Sequence, residues 1–193
     1  MKILIACEFS GIVREAFRLR GHDAWSLDIL PSEISGQHIQ EKLYTDKVNY
    51  LKAGWDMVIA HPPCTHLAVS GARWFAGKEK ERWDAIKFFM EIALCDVPKL
   101  AIENPIGIMS TVYKKPDQIV QPWQFGHGET KATCLWLKGL PELKETNNVK
   151  EEMLKLPKAQ QQRIHYLSPG PNRGRERSRT YQGIANAMSE QWG

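Results

Sequence analysis

Short apolar runs, each cut off by a turn and followed by a helical pattern, constrain this chain most. Lys2 to Cys7 is a continuous apolar run, as expected of a strand buried on both faces. Ser10-Gly11 then opens a helical pattern, with Ile12, Val13, Ala16, Phe17 and Leu19 as its apolar stripe and Gly21 as its close. Ala24 to Leu30, Trp55 to Ala60, Leu100 to Ile102 and Thr133 to Leu137 read as further strands. Glu79 to Leu94 reads as a long amphipathic helix, with Trp83, Ile86, Phe89, Met90, Ala93 and Leu94 at helical spacing. Strands alternating with helices predict an α/β fold, a doubly wound and mostly parallel sheet. Its 193 residues suit one domain, residues 1–193, with a full-sized core.

The segments between and after these runs read differently. Pro31 to Gln40 is polar and reads as a loop. After Pro141 the chain turns polar, with a short helix expected around Glu151 to Leu156 and an irregular loop over Ser168 to Arg177. Ile184 to Trp192 reads as a terminal helix.

Composition narrows the class. Hydrophobic residues make up 42% and charged residues 25%, ordinary values for a globular protein. No apolar stretch approaches the length of a membrane span, so no membrane partner is expected. Cys7, Cys64, Cys95 and Cys134 form no C-x-x-C pair, and the N-terminus reads as a strand rather than a signal peptide. Reduced thiols in a soluble cytoplasmic protein are the expectation. The net charge of +4 permits nucleic-acid binding without requiring it. Arg173, Arg175, Arg177 and Arg179 concentrate that charge in one stretch, which reads either as a phosphate-contacting segment or as a solvated loop.

Three constellations carry candidate chemistry. Glu8-Phe9-Ser10-Gly11-Ile12 follows the first strand; a glycine there lets the backbone approach a ligand, and a helix N-terminus follows. Asp28 ends the second strand, where nucleotide-binding sheets hold a ribose hydroxyl. The G-x-G-x-x-G fingerprint is missing, so an ordinary tight turn is an equal reading. In Ala60-His61-Pro62-Pro63-Cys64-Thr65, the stiff Pro-Pro pair holds a cysteine at the carboxyl end of a strand. Its alternative is a structural thiol. A zinc site on His61, Cys64 and His66 is disfavoured, because no second ligand pair has suitable spacing. Glu103-Asn104-Pro105 brings a carboxylate to a similar strand end, where it can serve as acid to a nucleophile or stand solvated.

Together and in this order, these motifs resemble the DNA cytosine-5 methyltransferase family, from Lys2 to about Pro105 and more faintly beyond. The resemblance implies a Rossmann-like, S-adenosylmethionine-dependent methyltransferase fold. Phe9-Ser10-Gly11 resembles the family's first cofactor motif, which puts Glu8, Phe9, Ser10, Gly11, Ile12, Asp28, His61 and Pro62 at S-adenosylmethionine. Pro62-Pro63-Cys64 resembles the catalytic Pro-Cys motif, and Glu103-Asn104 the Glu-Asn-Val motif. Cys64 is then the nucleophile that adds to carbon 6 of a flipped-out cytosine, with Glu103 assisting at N3. Ser70-Gly71 matches the start of a closing loop over DNA, which would carry Arg73, Trp74, Lys78 and Lys80. Phe125 to Thr133 resembles the Gln-x-Arg-x-Arg motif in outline, with Glu129, Lys131 and Thr133 in its polar positions.

The departures are also specific. Ile12-Val13 follows Gly11 where a second glycine is usual. Glu41 and Asp46 compete for the acid that meets the adenine amino group. A reduced insert, residues 140–180, stands in place of a target-recognition domain. Direct base readout is therefore expected to be shallow, shared with a second subunit or partner, or aided by the arginine stretch. The compact form implies a phage or mobile-element methyltransferase. Two other readings remain: a pyrimidine nucleotide-modifying enzyme with the same cysteine chemistry, and a degenerate nucleic-acid- or protein-binding module on the same scaffold.

Overall fold

The computed structural model describes residues 1–44, 48–69 and 77–193. In chain order the strands are β1 (Lys2–Ala6), β2 (Asp23–Asp28), β3 (His38–Gln40), β4 (Met57–Ala60), β5 (Lys99–Pro105), β6 (Gln118–Val120) and β7 (Thr133–Lys138). The helices are α1 (Ile12–Arg18), α2 (Glu79–Ala93), α3 (Met109–Val112), α4 (Lys150–Leu154), α5 (Lys158–Gln161), α6 (Arg163–Tyr166), α7 (Arg173–Ser178) and α8 (Gln182–Trp192).

The strands form one sheet in the order β3-β2-β1-β4-β5-β7-β6. β1 pairs in parallel with both β2 and β4, β2 with β3, and β4 with β5. β7 runs antiparallel between β5 and β6. This is the doubly wound, mostly parallel α/β sheet expected from the sequence. Its strand order reverses direction between β1 and β4, and the carboxyl ends of those two strands bound the crevice where such sheets take ligands.

Both faces of the central strands are buried, which is why they read as unbroken apolar runs. Ile3, Ile5, Met57, Ile59 and Ala101 face α1 and α8, packing with Val13, Phe17, Ile184, Met188 and Trp192. Leu4, Ala6, Val58, Ala60, Leu100 and Ile102 project the other way, packing with Leu67, Ile86, Phe89, Ile92 and Trp136. The side-chain alternation of a strand puts adjacent residues into opposite cores.

Several expectations need correction. Pro31 to Gln40 is not all loop, because its last three residues pair with β2 as the edge strand β3. Ser168 to Arg177 is not wholly irregular, because Arg173–Ser178 is helical. β5 does not stop at Ile102; pairing with β7 carries it through Glu103 and Asn104 to Pro105. Leu19, Trp83 and Leu94, read as members of apolar stripes, are 86%, 68% and 72% exposed. The buried face of α2 is Ile86, Phe89 and Ile92. No helix among the described residues is long and apolar enough to cross a membrane.

Candidate active site

The turn after β1 is built inward. Cys7 adopts φ +59°, a left-handed conformation that ends the strand. Glu8 follows, 4% exposed, and its carboxylate takes the N–H groups of Val13 at 2.7 Å and Arg14 at 3.3 Å and the Ser10 hydroxyl at 3.2 Å. Ser10 Oγ in turn accepts the Ile12 N–H at 3.3 Å. Glu8 and Ser10 thereby satisfy the unpaired amides at the start of α1. Burial pushes the Glu8 carboxyl up, against the opposing pull of His61 and these N–H donors. Gly11 has φ +75°, and a Cβ there would lie 2.8 Å from the Arg14 guanidinium and 3.1 Å from Ile34 Cβ. Glycine is required on both counts.

Arg14 is fully buried and explains how the neighbouring loop is held. Its guanidinium donates to Ser26 Oγ at 2.9 Å, Ser32 Oγ at 3.0 Å and Ile34 O at 2.6 Å. These bonds draw residues 32–35 over the α1 side of the turn. Asp28, at the end of β2, accepts the Leu30 N–H at 2.9 Å, and burial raises its carboxyl. A carboxylate can take about four donors, so Asp28 keeps acceptor capacity for a hydroxyl. Glu41 lies beside it, donating its backbone N–H to Asp28 O at 3.0 Å. Asp46 lies outside the described residues, as do Ser70, Arg73 and Trp74. Lys78, exposed, precedes the first turn of α2.

Across the crevice, the Pro-Pro-Cys turn is fastened to the loop after β5. Asn104, 2% exposed, donates its Nδ2–H to Pro62 O at 2.7 Å. Cys64 O accepts the Leu67 and Ala68 N–H groups at 3.0 and 2.9 Å, closing a helical turn. Ile108 N–H then bonds Leu67 O at 2.9 Å, and Val69 N–H bonds Ile106 O at 3.1 Å. Gly107 permits this approach, because a Cβ there would lie 2.2 Å from Leu67 O. Pro63 is exposed and Pro62 buried, so one proline of the pair faces outward and the other packs.

The register of β4 against β5 pairs Ala60 with Ile102, which brings the next residues, His61 and Glu103, side by side. His61 Nδ1 stands 3.1 Å from Glu103 Oε2. Burial raises the Glu103 carboxyl, but the His61 hydrogen bond, Lys131 and the His61 charge outweigh it and hold the group below the ordinary range. An ionised carboxylate only accepts, so Nδ1 is the donor. The other ring nitrogen of His61, Nε2, is buried and has no hydrogen-bond partner among the described residues, an arrangement that costs about 1–3 kcal/mol. The sequence reading placed His61 with the cofactor residues and missed its bond to Glu103.

Cys64 shares this surrounding. Burial and then Glu103 push its thiol up, while Lys131 and Arg177 pull it down. The other cysteines differ. Burial and Asp28 push Cys7 up to about 12, and burial and Glu103 push Cys134 up to about 11. Lys131 reaches the site because β7 is reversed, so the residues entering it lie beside the carboxyl end of β5. Its Nζ is 3.4 Å from Arg179 O and 5.8 Å from the Tyr181 ring centre. Glu129 turns elsewhere, accepting from Arg163 at 2.8 Å and from the Tyr181 hydroxyl at 2.7 Å. Thr133 Oγ1 donates to Lys131 O at 3.0 Å.

The four arginines do not form one basic face. Arg175 and Arg179 pair with Glu33 at 3.0 and 2.7 Å, and Arg179 also pairs with Glu176. Arg175 lies 5.1 Å over the Phe9 ring, so α7 rests on the turn after β1. Arg173 donates to His165 O at 3.2 Å. Of the four, Arg177 pulls the Cys64 thiol down electrostatically. Among the described residues, no three ligating side chains converge as a metal site requires.

No family model and no curated protein matches the chain. Among solved structures it is similar to a protein assigned as a DNA modification methyltransferase encoded within a prophage of E. coli. That pair shares 16% identity and a TM-score of 0.49 over 81% of this chain and 55% of the other. It is also similar to the S. pombe Dnmt2 methyltransferase, at 14% identity and a TM-score of 0.46 over 87% of this chain and 59% of the other. The chain thus spans less than two thirds of either protein's length. Its sheet order, with one reversed strand, is consistent with a Rossmann-like fold of the S-adenosylmethionine-dependent methyltransferase type.

Proposed function

We propose that this chain transfers a methyl group from S-adenosylmethionine to carbon 5 of cytosine in DNA, with Cys64 as the nucleophile at carbon 6 and Glu103 as the acid at N3. The observation that carries this reading is the convergence of Cys64 beyond the carboxyl end of β4, Glu103 near the carboxyl end of β5 and Lys131 before the amino end of the reversed β7, close enough for Glu103 and Lys131 to act on the thiol. The motif resemblance assigns the same residues to the same chemistry.

The cofactor fits the other half of the crevice. The Glu8–Ile12 turn and Asp28 stand at the carboxyl ends of neighbouring parallel strands. Asp28 has capacity to accept ribose hydroxyls and Gly11 keeps the turn clear of a Cβ, while Phe9 is buried beneath Arg175. Glu8 and Ser10 act by shaping that turn. S-adenosylmethionine bound there supplies an electrophilic methyl group. Asn104 and the two prolines hold Cys64 in place, Glu103 once protonated donates a hydrogen bond to the ring nitrogen, and Lys131 balances charge between thiol and carboxylate. Glu103 Oε1 makes no hydrogen bond among the described residues and is the oxygen available to a base. Arg177 is the arginine best placed for a substrate phosphate near Cys64, a contact that positions rather than specifies.

The test is covalent trapping. A duplex bearing 5-fluorocytosine, incubated with the protein and S-adenosylmethionine, is expected to form a denaturation-resistant adduct that peptide mapping assigns to Cys64. Transfer of labelled methyl groups by Cys64→Ser at the unmodified rate refutes the mechanism. Running deoxycytidine monophosphate alongside the duplex separates DNA modification from modification of a nucleotide. That second substrate merits inclusion because residues 150–178 fold as four short helices rather than as a recognition domain.

A further inference from the structure

The chemistry above leaves one buried group in the site without a role, the imidazole of His61. Its side chain is 7% exposed. The sheet sets its position: its backbone N–H bonds Ala6 O at 2.9 Å, and Pro62 stiffens the next step. Nδ1 donates to Glu103 Oε2 at 3.1 Å, while Nε2 has no partner among the described residues. Beside the hydrogen-bonded Glu103 in β5, the carboxyls of Glu8 after β1 and Asp28 at the end of β2 interact with the imidazole electrostatically. The cation Lys131 acts on Glu103 from the entry to β7.

We propose that His61 is a positioning residue that resupplies, through Nδ1, the proton Glu103 delivers to the target ring; this role rests on the cytosine reading. In the addition step Cys64, having lost its thiol proton to solvent, bonds carbon 6 through Sγ as the thiolate, and the carbon 5–carbon 6 π pair shifts to carbon 4–carbon 5. The carbon 4–N3 π pair moves onto N3, which takes the proton of the Glu103 carboxyl. That carboxyl had received it from the protonated imidazole, so the step ends with His61 neutral, Glu103 ionised and N3 protonated. The same transfer removes, while it lasts, the negative charge that opposes thiolate formation at Cys64. The proton arrives at Oε2, and rotation of the carboxyl about its Cγ–Cδ bond turns that oxygen from His61 toward the base.

The experiment compares wild type with His61→Asn, which retains an N–H donor for Glu103 but no titratable proton. Adduct formation with the 5-fluorocytosine duplex is followed across pH, with duplex affinity measured separately. His61→Asn is expected to form the adduct about 100-fold more slowly at unchanged affinity, within the range of general acid–base contributions. Its rate is also expected to rise with pH more steeply than that of wild type, because Cys64 deprotonation alone then sets the profile. A variant that matches wild type in rate and pH profile overturns the role while leaving the cytosine reading intact. A second measurement does not depend on turnover: a downfield Nδ1 proton resonance in wild type that disappears in Glu103→Gln. Its absence from folded wild-type protein overturns the proposal directly. If the resonance is present but no cytosine substrate forms an adduct, the functional reading fails and this role falls with it.

Discussion

Asn104 offers the sharpest test of how the Pro-Pro-Cys turn is held. Asn104→Ala removes the Nδ2–H that meets Pro62 O at 2.7 Å. Pro62 is buried and Asn104 is 2% exposed, so water cannot take the donor's place. An orphaned buried carbonyl costs about 1–3 kcal/mol, and a middle value of about 2 kcal/mol corresponds to about 4–8 °C in melting temperature for a domain of this size. The consequence extends to the thiol, because this bond ties the turn that carries Cys64 to β5. Thermal melts by circular dichroism should show the drop, and timed alkylation with peptide mapping should show Cys64 reacting faster as the turn opens. Asn104→Asp should be worse, since its ionised oxygens face the carbonyl with no donor. A melting temperature within about 1 °C of wild type, together with an unchanged Cys64 alkylation rate, refutes the reasoning.

Two further predictions concern charge. Glu103 raises the Cys64 thiol and Lys131 lowers it; at fixed mildly alkaline pH, Glu103→Gln should therefore speed Cys64 alkylation and Lys131→Met should slow it. Equal rates in both variants would remove the electrostatic account of the site. His127 is pushed below the usual histidine range, by burial first and against Glu129, and its Nε2 accepts the Gly183 N–H at 2.9 Å. The unfolded chain then binds the proton first as pH falls, so this stabilisation is complete above about pH 6.5 and is lost as pH drops toward the folded value. The melting temperature should fall between about pH 7.5 and about pH 5.5, and less steeply in His127→Asn; identical slopes would discard His127 as the cause.

The central strands and the long helices were legible because their residues meet the core on regular periods. β3 and β6 were not. Each has three residues in a polar context, and each exists because a neighbouring strand offers its edge. The helical turn of Arg173–Ser178 was equally hidden. Alternating arginines look like a solvated loop until Glu33, more than a hundred residues earlier, draws Arg175 and Arg179 onto the turn after β1. Leu19, Trp83 and Leu94 misled for the opposite reason: their spacing fits a buried stripe, but among the described residues no element packs over them.

Local chemistry by itself determined the doubly wound sheet and the turns that end its strands. It also placed a cysteine and a carboxylate at the ends of two apolar runs. A strand's burial and a proline's stiffness are properties of a few consecutive residues, so they can be read along the chain. Which groups face one another is not such a property. The pairing of His61 with Glu103 depends on the register of β4 against β5, and the arrival of Lys131 on the reversal of β7. The separation of the four arginines depends on Glu33. Those are long-range contacts, set by how the sheet assembles, and they decide the charge state in which the candidate nucleophile sits.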